Sequence, residues 1–157
     1  MGYGGGVESG MRNGVGIAIS VGRVNMETAR NRKIRSDNLD CWRHARDLTV
    51  HIHRLISENH LKKDSELKEA LTKTTVYLMS HIAMGNGNAT PESLESLKHL
   101  DLALECLAVL RTYLGILREL GYLSEGDFLD FEDQSIHIEA LIDDQIKNLR
   151  KKQKRKR

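Results

Sequence analysis

The stretch from Thr90 to Gly121, TPESLESLKHLDLALECLAVLRTYLGILRELG, decides the fold class of this chain. At its start, Thr90 can cap a helix, Pro91 suits the first helical position, and Glu92 complements the positive end of the helix dipole. Apolar residues then recur at helical spacing as far as Gly121, and glycine is typical of a helix end. The stretch therefore predicts one helix over about residues 91–120.

The same periodicity predicts three more helices, over about residues 39–57, 66–84 and 125–150. The run Gly85-Asn86-Gly87-Asn88 predicts the end of the second helix, and Ser124 resembles the first residue of a capping box before the fourth. No alternating strand pattern competes. Because the connections are short, they can join only neighbouring helices. The sequence predicts an all-α fold, an antiparallel up-down four-helix bundle over residues 37–149.

Two segments of different composition flank the predicted bundle. Residues 1–36 include eight glycines before residue 23, and their backbone entropy predicts a disordered, Gly-rich and basic N-terminal arm. Residues 150–157, RKKQKRKR, hold seven cations and no acid and predict a flexible basic tail. The chain carries a formal net charge of only +2 because residues 37–149 hold 11 Lys and Arg against 20 Asp and Glu. The bundle is therefore acidic and both arms are basic.

The basic tail predicts contact with a polyanion, and nucleic acid is the first candidate. The predicted contact residues are Arg150, Lys151, Lys152, Lys154, Arg155, Lys156 and Arg157. The aromatic residues are scattered at helical spacing and form no stacking platform for single strands. Binding would therefore rest on phosphate contacts, with strong salt dependence and little sequence preference. The alternative is a solubilising helix end that binds nothing specific.

The third predicted helix is apolar around most of its circumference between residues 102 and 117. A helix of this kind needs cover on more than one side. One stripe lines the core and consists of Leu107, Leu110, Leu114 and Leu117. The apolar residues on other sides predict a subunit interface in a homo-oligomer, and they are Leu104, Val109 and Ile116. The alternative is a helix held deeply within its own bundle.

The sequence lacks patterns typical of catalysis or metal binding. His51 and His53 are two positions apart, so a helix turns them to opposite faces, while His44 and His51 share a face without an acidic partner at ligand spacing. We expect these histidines at the surface or its boundary. Cys41 and Cys106 have no ligand-like spacing, which indicates reduced, packed thiols in the cytoplasm. We expect no enzyme, no cofactor, no metal and, without a long apolar segment, no membrane contact.

Four short motifs occur in a characteristic order: LDCWRHARDL at 39–48, SHIAMG at 80–85, LAL with LA at 102–108, and LGYLS at 120–124. Together they resemble the bacterial four-helix bundle family encoded by intervening sequences in 23S ribosomal RNA. The resemblance covers about residues 38–150. The accessory variability determinant of diversity-generating retroelements is similar and shares the fold. Met84 and Val109 stand where the family has acids, so the roles of those carboxylates do not transfer.

The resemblance implies a function that the residues alone do not. It implies a ring-shaped homopentamer. It also implies a non-catalytic accessory protein that associates with a reverse transcriptase and its RNA and binds nucleic acid through basic surface. Because this bundle is acidic, the tails become the main candidates for that contact. Two alternatives stay open. One is the ribosomal intervening-sequence product itself, a bundle with no assigned role near ribosomal RNA, and the other is a helical protein-interaction module with an inert tail.

Overall fold

The structure is a computed structural model that describes residues 38–57, 64–87 and 94–155. They form four helices: α1 over 38–57, α2 over Ser65–Gly87, α3 over Leu94–Glu119 and α4 over Glu125–Arg155. The described ranges contain no strand, and the all-α prediction is confirmed. The predicted N-terminal arm, the predicted cap at Thr90 and the last two cations, Lys156 and Arg157, lie outside the described residues.

Ring contacts establish that α1 and α4 are antiparallel neighbours. His44 of α1 lies against His137 of α4, with ring centroids 4.5 Å apart. Seven residues later in α1, His51 lies against Phe131, six residues earlier in α4, at 4.6 Å. Rising numbers in α1 thus meet falling numbers in α4, as an antiparallel pair requires.

The remaining contacts close the ring of helices. His53 of α1 lies 3.2 Å from the Thr75 hydroxyl of α2, measured between Nε2 and Oγ1. Helix α2 packs along α3, and α3 packs along α4. Every helix therefore touches the helix before it and the helix after it, and the predicted up-down four-helix bundle is confirmed. His51 contacts α4 and His53 contacts α2, so the two histidines lie on opposite faces of α1, as predicted.

The core is built from one apolar stripe of each helix. The four leucines predicted to line α3 are each at most 1% exposed. Burying a side chain of this size stabilises the fold by about 1.5–3 kcal/mol. Other fully buried large side chains are Leu48, Ile52, Leu71, Leu78, Ile82, Leu100, Phe131, Ile138 and Ile142.

Helix α2 is longer than predicted because Gly85 does not end it. The helix continues to Gly87, and Gly85 is buried inside it. A Cβ at position 85 would lie 2.7 Å from Cδ2 of Leu100, which is fully buried in α3. The missing side chain therefore lets the two helices approach closely, and this contact outweighs the entropic cost of glycine in a helix.

Gly85→Ala is expected to destabilise the fold by about 1–3 kcal/mol, because the added methyl overpacks the contact with Leu100. The matched control is Gly115→Ala in α3, where a Cβ meets nothing within 4 Å. That substitution is expected to stabilise the protein by about 0.5–1 kcal/mol through helix propensity. Urea unfolding monitored by circular dichroism measures the free energy of unfolding of both variants. Effects of the same sign would contradict the close approach of α2 and α3 at Gly85.

The turn between α3 and α4 forms as predicted. Gly121 adopts a positive φ of 72°, and the N–H of Tyr122 donates to the Leu117 carbonyl at 2.9 Å. This is a glycine-dependent helix end. The Asp127 N–H donates to Ser124 Oγ at 3.1 Å, and that hydroxyl donates to the Asp127 carboxylate at 2.6 Å. The predicted cap of α4 is confirmed.

Helix α4 continues to Arg155, beyond the predicted end near residue 150. Residues 151–155 of the predicted flexible tail are therefore helical, which corrects that prediction. Residues 150–155 contain no Gly or Pro, and Lys, Arg and Gln are good helix formers. Cations in the last turn also favour the negative end of the helix dipole. Counting from the His44–His137 contact at about 1.5 Å per residue, these residues lie about 10–18 Å beyond the start of α1.

Candidate nucleic-acid interface

The charge of α4 changes sign sharply along its length. From residue 125 to residue 149 the helix carries eight acids and a single base, Lys147. From residue 150 to residue 155 it carries five cations and no acid. We call these cations the basic end of α4, and they are Arg150, Lys151, Lys152, Lys154 and Arg155. One helix thus presents a negative body and a positive end, and only the end attracts a polyanion.

The basic end occupies one side of the helix. At about 100° per residue, its five cations cover an arc of about 200°, while Leu149 and Gln153 fall in the remaining arc. Leu149 is only 8% exposed, so that remaining arc faces the bundle. Lys152 is half-buried and the other four cations are exposed. The positive side chains therefore point away from the protein over more than half of the helix circumference.

Carboxylates of the described residues do not neutralise the cations of the basic end. Across the described ranges, no Asp or Glu oxygen lies within 4.0 Å of their side-chain nitrogens. Several arginines elsewhere are paired: Arg111 of α3 binds Glu139 of α4, and Arg118 contacts Glu119 at 2.8 Å and Glu125 at 3.7 Å. The basic end can therefore exchange its counterions for phosphate groups.

The residues predicted at a subunit interface do not all share one surface. Val109 and Ile116 are 43% and 41% exposed and lie two turns apart on the same stripe of α3. Leu104 lies on another side of the helix and is partly buried against the core of its own bundle. The structure therefore brings Val109 and Ile116 together and separates Leu104 from them.

An open apolar groove of about 480 Å³ runs between α1 and α2. It is lined by Thr49, Val50, His53, Arg54, Ser57 and Val76. Val50 and Val76 are 42% and 49% exposed, so the groove leaves apolar surface in water. Sequence reasoning missed this groove because its lining comes from two helices, and their relative rotation is not a property of either segment alone.

Two histidine pairs join neighbouring helices, and sequence reasoning missed both. Besides the His44–His137 contact, Nδ1 of His81 in α2 lies 3.2 Å from Nδ1 of His99 in α3. Burial and the neighbouring His99 lower the pKa of His81 below the ordinary value for histidine, while Glu105 acts in the opposite direction. The members of this pair are 18 positions apart, so only the register of the α2–α3 hairpin could have indicated it.

The thiols are placed for packing. Both cysteines are free; Cys41 is fully buried and Cys106 is partly buried. Burial raises the pKa of the Cys41 thiol to about 12, and contact with Gln145 offsets only part of this effect. Burial also raises the pKa of Cys106, and Glu105 adds to it. A thiol held in its protonated form is a poor nucleophile.

Within the described ranges, no three His, Cys, Asp or Glu side chains are grouped so that they could share a metal ion. The four helices also include none with the length and hydropathy needed to cross a bilayer, as far as their described residues extend.

The family model for 23S rRNA-intervening sequence proteins matches residues 37–144. The chain belongs to this family. The match confirms the resemblance of the four motifs, and the structure gives two of their glycines a physical role, since Gly85 permits close packing and Gly121 ends α3. No curated protein and no solved structure matches the chain. The basic end of α4 lies beyond the part that the family model matches.

Proposed function

We propose that this member of the 23S rRNA-intervening sequence family is a non-catalytic protein that binds nucleic acid through the basic end of α4. One observation carries the proposal: five cations with no carboxylate partner among the described residues occupy the outward side of a helical extension. The acidic body of the bundle repels phosphate, so contact within the described part of the chain is concentrated at this end. Lys and Arg at the surface of a helix meet phosphates, and binding is therefore insensitive to base sequence.

Deletion of residues 150–157 tests this function. The deletion starts after Leu149, the last buried residue of α4, so the bundle is expected to keep its helical signal. Fluorescence anisotropy with two unstructured RNAs of unrelated sequence should show similar affinities for the intact chain and a large, equal loss for the deletion variant. Unchanged affinity after deletion would remove the basic end from the interface.

Within this function, the likeness to the accessory variability determinants supports a more specific role. In that role the protein acts in the cytoplasm, where free thiols stay reduced, and accompanies a reverse transcriptase and its RNA. A gene beside a reverse transcriptase and a template repeat would support this role. A gene inside a ribosomal RNA gene would favour the alternative, an intervening-sequence product acting near ribosomal RNA. Unchanged RNA binding after deletion of residues 150–157 would favour an interaction module with an inert tail.

The same proposal includes assembly of several identical subunits, with a homopentamer as the form that the resemblance implies. Two apolar surfaces support assembly: the Val109 and Ile116 stripe of α3, and the groove between α1 and α2. They belong to different helices, so the stripe of one copy can enter the groove of the next copy. Repeated head-to-tail contacts of this kind form a ring when the rotation between copies closes.

Ile116→Asp is expected to weaken assembly about 10- to 150-fold, since burial of one such side chain contributes about 1.5–3 kcal/mol. Light scattering at micromolar concentration measures the mass, with circular dichroism as a check on the fold. Leu94→Asp is the control, because Leu94 is 80% exposed at the start of α3. An intact chain that is a helical monomer at this concentration would contradict assembly.

A further inference from the structure

His81 and His99 face each other across the boundary between α2 and α3. Their Nδ1 atoms are 3.2 Å apart, the ring planes are inclined at 26° and the ring centroids are 5.4 Å apart, so the two rings face each other through Nδ1. Both residues are partly exposed, so an ion from solvent can reach them. At this distance one Nδ1–H can donate to the other Nδ1 in the metal-free protein, because two neutral imidazoles can share one proton.

The backbone holds the two rings together without help from a ligand. Gly85 lies one turn after His81, and Leu100 directly follows His99. The absence of a side chain at Gly85 brings the two helices close at this level, since a Cβ there would approach Leu100 Cδ2 to 2.7 Å. A pair of donors fixed by packed helices loses little freedom when it binds a metal ion.

The separation of the two nitrogens matches the spacing of two ligands on one metal ion. With metal–nitrogen bonds of about 2.0–2.1 Å and an angle of about 100–105°, two imidazole nitrogens lie about 3.2 Å apart. We propose that His81 and His99 bind one divalent transition-metal ion of the class that prefers imidazole, Zn²⁺, Ni²⁺ or Cu²⁺, through both Nδ1 atoms. Water completes the coordination, and the ion joins α2 to α3.

The protons balance in this step. The ring that donates its Nδ1 proton in the metal-free pair gives up that proton and gains one at Nε2 through water. Both rings then carry their proton on Nε2, and each Nδ1 lone pair is directed to the ion. The Glu105 carboxylate interacts electrostatically with His81 and favours a cation at this position. The site is separate from the basic end of α4 and does not depend on nucleic-acid binding.

Titration of the untagged full-length protein with Zn²⁺ tests the proposal. Calorimetry should show binding at this pair, and long-range proton–nitrogen correlation spectra should show both rings changing to the Nε2–H form. His81→Gln and His99→Gln are each expected to weaken Zn²⁺ binding at least about tenfold, since loss of even a supporting residue costs about 10- to 100-fold. Zn²⁺ should also raise the Tm of the unmodified protein more than that of either variant.

His137→Gln is the matched control, because it removes an exposed histidine that also contacts a histidine of another helix. Its Zn²⁺ affinity is expected to equal that of the unmodified protein. The proposal would be overturned if His81→Gln and His99→Gln bound Zn²⁺ as tightly as the unmodified protein. It would also be overturned if the unmodified protein bound no Zn²⁺. If a variant fails to fold, the ring spectra of the unmodified protein decide the question, since unchanged His81 and His99 signals would also overturn it.

Discussion

Phe131→Ala is expected to lower the free energy of unfolding by about 3–5 kcal/mol, the loss typical of a large side chain removed from a core. Phe131 is 1% exposed and its ring lies against His51, so it fills the space between α4 and α1. The free energy of unfolding of a domain of ordinary stability is about 5–15 kcal/mol, so the substitution removes a large share of this stability. Urea unfolding monitored by circular dichroism gives the difference.

Leu129→Ala is the matched control for this prediction. Leu129 lies two positions earlier in the same helix and is 50% exposed. Its truncation is expected to change the free energy of unfolding by less than about 0.5 kcal/mol. Similar losses in the two variants would contradict the assignment of the Phe131 face of α4 to the core and the packing of α1 against it.

Replacement of all five cations of the basic end by Gln is expected to lower affinity for an unstructured RNA by up to about three orders of magnitude at 0.1 M salt. Each phosphate contact on a single strand contributes a slope of about −0.7 to log affinity against log salt, which is about fivefold at 0.1 M. Gln is nearly as good a helix former as Lys and Arg, so α4 is expected to keep its length. Fluorescence anisotropy measures the loss.

A variant with the same change in net charge distinguishes local contact from general electrostatics. Five exposed cations of α1 and α2 can be replaced by Gln: Arg43, Arg46, Arg54, Lys68 and Lys73. Arg43, Arg46 and Lys73 already have carboxylate partners, so their removal is expected to affect RNA binding far less. Equal losses in the two variants would mean that total charge, and not the basic end, controls binding.

The sequence predicted most of the fold because the decisive signals are local. Helical periodicity located the four helices, Gly121 and Ser124 marked the turn between α3 and α4, and the leucines of α3 were assigned correctly to the core. Gly85 was misinterpreted because a buried helical glycine and a helix-ending glycine look the same in a sequence. Only the distance to Leu100 in another helix distinguishes them.

The candidate site was predicted in part. The cations of the basic end were recognised from composition, but a flexible tail was predicted for them, whereas helix propensity and the helix dipole favour the observed helix. Val109 and Ile116 are exposed as their predicted interface role requires, whereas Leu104 turns partly into its own core. The His81–His99 contact depends on the register between two helices, which no single segment of sequence encodes.

The salt dependence of RNA binding tests the central claim most directly, because it counts the phosphate contacts that the cations make. With five to seven contacts per chain, log affinity against log salt should fall with a slope of about −3.5 to −5 for the intact protein. The slope should become much shallower when the five cations of the basic end are replaced by Gln. The control variant, with five cations of α1 and α2 replaced by Gln, should keep the steep slope of the intact protein. Identical slopes for the intact protein and the basic-end variant would contradict the assignment of nucleic-acid binding to α4.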